Sequence, residues 1–129
     1  PNCGLCQLCK HEPETEPAAH MLFKCRFSTR ICNAVKSWVG APEIDNVAWQ
    51  AFLSVRAWWE ATTLREGHRR RVMTTLLMLV AWEIWNERNA RVFRNKSTLP
   101  SLIIDRIKCK AKDWISAGAK HLSSIMPRE

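Results

Sequence analysis

Potential metal ligands are concentrated in the first quarter of the chain. Cys6 and Cys9 form a C-x2-C pair, and His20 and Cys25 form an H-x4-C pair downstream of it. Three thiolates and one imidazole are a complete ligand set for a tetrahedral Zn²⁺ ion, and they leave no coordination position for a catalytic water. The spacing therefore predicts one structural Zn²⁺ held by these four side chains.

Other residues in the same region compete for this role. Cys3 and Cys6 also make a C-x2-C pair, and His11 offers a second imidazole. The pair of Cys6 and Cys9 is preferred because it leaves Cys3 as a surplus thiol near the terminus. A different interpretation needs no metal: the thiols are buried as small apolar side chains, and His20 packs beside its apolar neighbours.

The H-x4-C spacing constrains the local backbone. In a regular α-helix, residues five apart lie about 140° apart around the axis, so His20 and Cys25 would not face one point. We therefore expect His20 on a short helix over 18–24, with Cys25 at or beyond its end where the chain turns.

Positive charge is concentrated in the second half of the 129-residue chain, whose formal net charge is +8. Residues 65–128 contain fourteen Lys or Arg against five Asp or Glu. This excess favours RNA or DNA as a partner, bound electrostatically and with weak specificity. A solvated loop and an ordinary wet helix face are the alternative interpretation. The predicted nucleic-acid contacts are Arg69, Arg70, Arg71, Lys108 and Lys112.

Apolar residues recur at helical spacing along most of the chain, and no useful period-2 alternation appears. The pattern predicts an all-α fold, a small domain of four to five helices with an N-terminal Cys3His zinc knuckle. Beyond 18–24, the predicted helices are one capped by Ser28 and ending at Gly40, one over 46–63 capped by Asp45, one over 68–93, and a last one capped by Ser97 or Thr98 with Pro100 in its first turn.

The predicted core combines apolar positions from all of these helices. Its members are Phe23, Ile31, Val35, Trp38, Leu77, Val80, Ile84, Ile107 and Trp114. Most of the seven tryptophans are expected to be buried, because each covers a large area. Trp49 and Trp59 are the better candidates for exposure.

Length and composition indicate a single globular domain. Hydrophobic residues make up 47% and charged residues 25%, so the chain can bury a core. Residues 1–40 would form the knuckle and first helices, and residues 41–129 the helical remainder packed with them. The longest apolar run, 72–85, is about 14 residues, shorter than the roughly 20 that a membrane span needs.

The start of the chain carries no secretory signal and no initiator Met. We therefore expect an intracellular protein, nuclear or cytoplasmic, and a fragment of a larger polypeptide. Cysteines in such a protein are read as metal ligands or free thiols rather than disulfides.

Two stretches of the chain form a recognisable combination. Residues 6–25 read C-Q-L-C, then Glu-Thr, then H-M-L-F-K-C, and residues 82–93 read WEIWNERNARVF. Together they resemble the zinc-binding domain that follows the reverse transcriptase in plant non-LTR (LINE-type) retrotransposon polyproteins, and residues 118–122 are similar to the end of those polyproteins. Cys32 departs from the pattern, since the family usually has Trp after the last ligand.

The resemblance implies a non-catalytic appendage that assists nucleic-acid handling by a parent reverse transcriptase. The sequence itself contains no Ser/His/Asp arrangement, glycine-rich phosphate loop or acid/base carboxylate pair that would argue for an enzyme. Two alternatives stay open. One is a helical protein–protein interaction module that docks on the parent polyprotein, and the other is an inert relic of a retroelement.

Overall fold

The computed structural model describes residues 6–9, 17–63 and 67–127, and most of these residues are helical. No strand occurs among them, which confirms the all-α prediction. A π-helical turn, His20–Lys24, continues α1, and a 3₁₀ turn, Lys120–Ser124, follows the last helix. The helices are α1 (Pro17–Ala19), α2 (Arg26–Val39), α3 (Asn46–Trp49), α4 (Val55–Thr63), α5 (His68–Phe93) and α6 (Pro100–Ala117).

The long helix α5 is the centre of the fold and has the predicted bounds, 68–93. It contacts α4, α6, the π-helical turn and the 3₁₀ turn, while α6 also packs against α2. Its broad apolar surface is therefore covered on several sides, as the width of the stripe predicts. The residues of α5 that are buried are Val72, Met73, Leu76, Leu77, Leu79, Val80, Glu83, Ile84 and Glu87.

Most of the predicted core is confirmed. Trp38 and Trp114 are only half-buried against it, and the side chain of Phe23 lies outside the described residues. The predicted core residues that are buried are Ile31, Val35, Leu77, Val80, Ile84 and Ile107.

The single helix predicted over 46–63 is wrong, because the chain breaks between α3 and α4. The predicted cap at Asp45 is confirmed: its Oδ1 accepts a hydrogen bond from the Ala48 amide at 3.1 Å. A second cap follows, with Ser54 Oγ accepting from the Ala57 amide at 3.0 Å. This side chain offers the backbone an alternative to a continuous helical ladder, and a new helix starts there.

The break explains why Trp49 is buried, at 3% exposure, and not exposed as predicted. In one continuous helix, Trp49 and Trp58 would lie about 180° apart around the axis. With the chain broken, their rings meet edge to face at 5.2 Å, and both are buried. Trp59 is half-buried beside them.

Two other predicted caps are wrong. Helix α2 starts directly after Cys25, and Ser28 lies inside the helix with its hydroxyl buried. Helix α6 has Leu99 at its N-cap without a side-chain hydrogen bond, so neither Ser97 nor Thr98 caps it. Pro100 lies in the first turn as predicted, where its missing N–H costs nothing.

Candidate metal centre

The four predicted ligands lie together at the N-terminal end of the described chain. Their donor atoms are all within 4.8 Å of one another. Cys6 Sγ is 3.9 Å from Cys25 Sγ, and Cys9 Sγ is 3.4 Å from His20 Nε2. A tetrahedral centre with metal–sulfur bonds of 2.3 Å separates two sulfurs by about 3.8 Å and a sulfur from a nitrogen by about 3.6 Å. Two of the donor pairs are therefore already close to tetrahedral spacing, and the group could hold a metal ion.

The π-helical turn solves the spacing problem posed by H-x4-C. His20 begins this turn, and the Cys25 amide donates to the His20 carbonyl at 2.9 Å, five residues back. An i→i+5 bond closes a wider ring than the α-helical one, and it brings the two residues toward the same side of the axis. Cys25 then adopts an extended conformation (φ −71°, ψ 126°) just beyond the turn, where it was expected.

The other ligand pair lies on a tight turn over residues 6–9. Cys6 and Cys25 are completely buried, His20 is nearly so, and Cys9 is half-buried. Buried sulfurs are shielded from solvent exchange and oxidation, which suits a structural centre better than a reactive one. Neither Cys3 nor His11, the competing ligands, lies within the described residues.

The pKa values of the two buried thiols, Cys6 and Cys25, shift in opposite directions. Hydrogen bonding to Cys25 lowers the pKa of Cys6 to about 5, and the amides of Cys9 and Leu8 add to this effect against the opposing effect of burial. The same hydrogen bond and burial raise the pKa of Cys25. The hydrogen bond between the two sulfurs thus favours one thiolate in the pair, and a metal ion would need both thiols deprotonated.

A guanidinium ties the metal-binding turn to the helical body. Arg91 of α5 donates to the carbonyls of Gln7 and Leu8, at 3.3 and 3.2 Å, and these two residues lie between Cys6 and Cys9. The Arg91 guanidinium also lies over the ring of Phe27, 4.6 Å from the ring centroid, in a cation–π contact. The side chain thereby holds the turn that presents two of the four sulfurs.

Glu87 completes this clamp from the buried side of α5. Its Oε2 accepts from Arg91 Nε at 2.7 Å and from the Thr98 amide at 2.8 Å, and Arg91 also donates to the Thr98 carbonyl at 3.2 Å. The carboxylate is only 2% exposed, so the pair is a buried ion pair with several added hydrogen bonds. The i,i+4 spacing of Glu87 and Arg91 in the sequence indicates their ion pair, but it does not indicate that Arg91 bonds to the turn over residues 6–9.

The predicted basic contacts are distributed over three environments. Arg69 forms a two-point ion pair with Glu43, whose carboxylate accepts at 2.5 and 2.7 Å and raises the pKa of the guanidinium. Arg70 and Arg71 are exposed and border a groove of about 460 Å³. The structure thus places Arg69 apart from its two neighbours.

Lys108 and Lys112 lie one turn apart on α6, and neither lines the groove beside Arg70. The Lys108 ammonium is 5.6 Å from the centroid of Trp38 on α2, and Lys112 is exposed. Near the groove, burial together with the charges of Arg71 and His68 lowers the pKa of His121.

No protein-family model, curated protein or solved structure matches this chain. Within the described residues, no helix combines the length and the apolar character that crossing a membrane requires.

Proposed function

We propose that the chain is a zinc-stabilised, non-catalytic module that binds RNA or DNA alongside a retrotransposon reverse transcriptase. The observation that carries the proposal is the convergence of three sulfurs and one imidazole nitrogen within 4.8 Å of one another. Zinc is the metal of choice because thiolate and imidazole ligands in a tetrahedron suit it. Four protein ligands fill its coordination shell, so the ion would stabilise structure rather than activate water.

The charge distribution supports a nucleic-acid partner. The net charge of +8 and the exposed Arg70 and Arg71 favour a polyanion, which they would contact through phosphates. Arg69 is expected to contribute less, because Glu43 already neutralises it. Phosphate contacts of this kind give affinity with little sequence preference.

Metal analysis tests the first half of the proposal. Protein purified without chelator should contain one zinc per chain, and chelation should lower its melting temperature and helix content. Protein without stoichiometric metal whose melting is unaffected by chelator would contradict the zinc centre.

A salt titration tests the second half. Binding of a single-stranded oligonucleotide should weaken steeply as the salt concentration rises. The double variant Arg70→Ala/Arg71→Ala should bind more weakly, and its salt dependence should correspond to about two fewer phosphate contacts. The charge-matched control is Arg26→Ala/Arg30→Ala, which removes two exposed cations from α2. Equal losses in both double variants would mean that only net charge matters and would refute the assigned patch.

A further inference from the structure

One face of α5 combines cationic and aromatic side chains. At 100° per residue, its cationic, methionine and tryptophan residues on this face fall within an arc of about 120°, among smaller and polar side chains. Along the helix axis, two arginines come first, a methionine and two tryptophans follow, and a third arginine comes last. These residues are Arg70, Arg71, Met78, Trp82, Trp85 and Arg88, and we call them the α5 stripe.

The middle of the α5 stripe forms the floor of an open apolar groove of about 650 Å³. Trp58 and Trp59 of α4 and Trp114 of α6 contribute to its walls. Trp82 is 56% exposed, although the sequence predicts it to be buried, and Met78 is 52% exposed. An exposed indole beside other aromatic rings is costly to leave in water unless something covers it.

The charges around the groove indicate the chemistry of the partner that would cover Trp82. Helix α5 contains only two acidic residues, Glu83 and Glu87, which lie on the opposite side of the helix, each about 2% exposed. Glu83 faces Arg106 of α6, and Glu87 is held by Arg91. The stripe therefore presents cations at both ends and no carboxylate of its own helix.

Arg88 links the aromatic and cationic parts of the stripe. Its guanidinium lies 5.0 Å from the centroid of Trp85, so the charge is placed at the edge of the groove. On the neighbouring wall, the one carboxylate of α4, Glu60, is paired with Arg56 at 3.0 Å. Arg88 thus lies beside the groove, and the carboxylate of α4 is neutralised by its own helix.

We infer that the α5 stripe is a single-strand nucleic-acid site, with an unpaired base stacked on Trp82 and phosphates held by Arg71 and Arg88. The inference rests on the proposed function and deepens it, because it names the strand class and the stacking residue. At 1.5 Å per residue, Arg71 and Arg88 are about 26 Å apart along the helix, long enough for a short strand. Stacking platforms flanked by cations are the general means of binding single strands, since only an unpaired base exposes its ring face.

The test compares nucleic acids of equal length that differ in whether they present unpaired bases. Fluorescence anisotropy would measure binding of a strand of about 12 thymidines, an abasic strand with the same phosphates, and a duplex of equal length. The wild-type zinc-loaded chain should bind the thymidine strand best. Trp82→Leu, which keeps an apolar side chain but removes the aromatic face, should weaken that binding about 5- to 100-fold.

Three controls separate stacking from charge and from folding. Trp82→Phe should restore most of the affinity, and Leu102→Ala, a similarly exposed apolar residue on α6, should leave it unchanged. Trp82→Leu should not alter binding of the abasic strand, nor the salt slope. Because Trp82 is exposed, its variants should keep the wild-type melting temperature.

The outcomes distinguish this inference from the proposed function. If no strand binds, both fail. If thymidine, abasic and duplex strands bind equally, or Trp82→Leu keeps full affinity, nucleic-acid binding stands and the stacking site is overturned. In that case the groove remains available to an apolar helix of a protein partner.

Discussion

The metal-binding region and the α5–α6 core hold their structure by different means. Around residues 6–9 and 20–25, a few short polar contacts converge on four donor atoms. In the core, α5 and α6 pack through buried aliphatic residues such as Leu76, Ile103 and Ile107. Under the proposed function, the first region would depend on one ion and on Arg91 in addition to its buried apolar residues, whereas the second distributes its stability over many apolar contacts. A single substitution in the first region should therefore disrupt that region strongly and locally. A single substitution in the second should lower the unfolding free energy in proportion to the apolar contacts it removes.

Removal of one metal ligand should have the largest effect. Cys25→Ser replaces a completely buried sulfur with a poor zinc ligand, and the turn over 6–9 and the π-helical turn should lose their order. Metal stoichiometry by mass spectrometry and amide exchange of residues 17–25 would measure this. Cys109→Ser, at an exposed thiol, is the matched control and should bind one zinc. Retained zinc in Cys25→Ser would remove this residue from the site.

Loss of Arg91 should affect both regions. Arg91→Ala leaves the buried Glu87 carboxylate unpaired, which costs about 3–5 kcal/mol of unfolding free energy. It also frees the turn between Cys6 and Cys9, so zinc affinity should fall about 10- to 100-fold. Denaturant unfolding and competition with a chelator measure the two effects.

The variant Arg91→Lys separates the effect of the positive charge from that of the guanidinium hydrogen bonds. Arg91→Lys keeps the charge but cannot reproduce the forked contacts to Gln7, Leu8 and Thr98. It should recover part of the stability and little of the zinc affinity. If Arg91→Lys binds zinc as tightly as the wild type, charge alone positions the turn.

A core truncation should lower stability without altering metal binding. Ile107→Ala removes three carbons at a fully buried position and should cost about 2–4 kcal/mol of unfolding free energy. Leu99→Ala, at the N-cap of the same helix and 68% exposed, should change it by less than about 0.5 kcal/mol. Zinc content should remain one per chain in both. Loss of zinc from Ile107→Ala would show that the two regions are not separable.

The smallest effect concerns Cys32, the thiol that stands where the resembling family usually has Trp. Burial raises its pKa to about 12, so the unfolded chain, whose thiol has a pKa near 8.5, ionises first as the pH rises. The contribution of this thiol to stability is complete below pH about 8.5 and declines from there toward pH 12. Relative to Cys32→Ala, the zinc-loaded wild type should therefore lose stability between pH 8.5 and 10.

Alkylation provides an independent measure of the same burial. Cys109 should react rapidly with iodoacetamide, whereas Cys32 should react only on unfolding, because a protonated buried thiol is inert. Peptide mapping after brief labelling distinguishes them. Equal labelling of the two in folded protein would contradict the buried position of Cys32.

Much of the architecture could be predicted because the signals are local. The bounds of α5 follow from its 3.6-residue apolar period, and the cap at Asp45 follows from its short acceptor side chain. The ligand set follows from two close pairs of donors. Failures occurred where local signals compete: Ser28 has the right chemistry for a cap, but the helix begins before it and buries it.

The sequence by itself determined the all-α class, the long helix and a preferred set of four donor residues, because helical periodicity and ligand spacing act between near neighbours along the chain. Only the tertiary structure decided that Trp49 is buried and Trp82 exposed, and that Arg91 reaches the turn between Cys6 and Cys9. A tryptophan has the same local pattern whether a partner helix covers it or not. Burial and cross-chain hydrogen bonds depend on which elements meet, and the sequence pattern of one helix does not specify that.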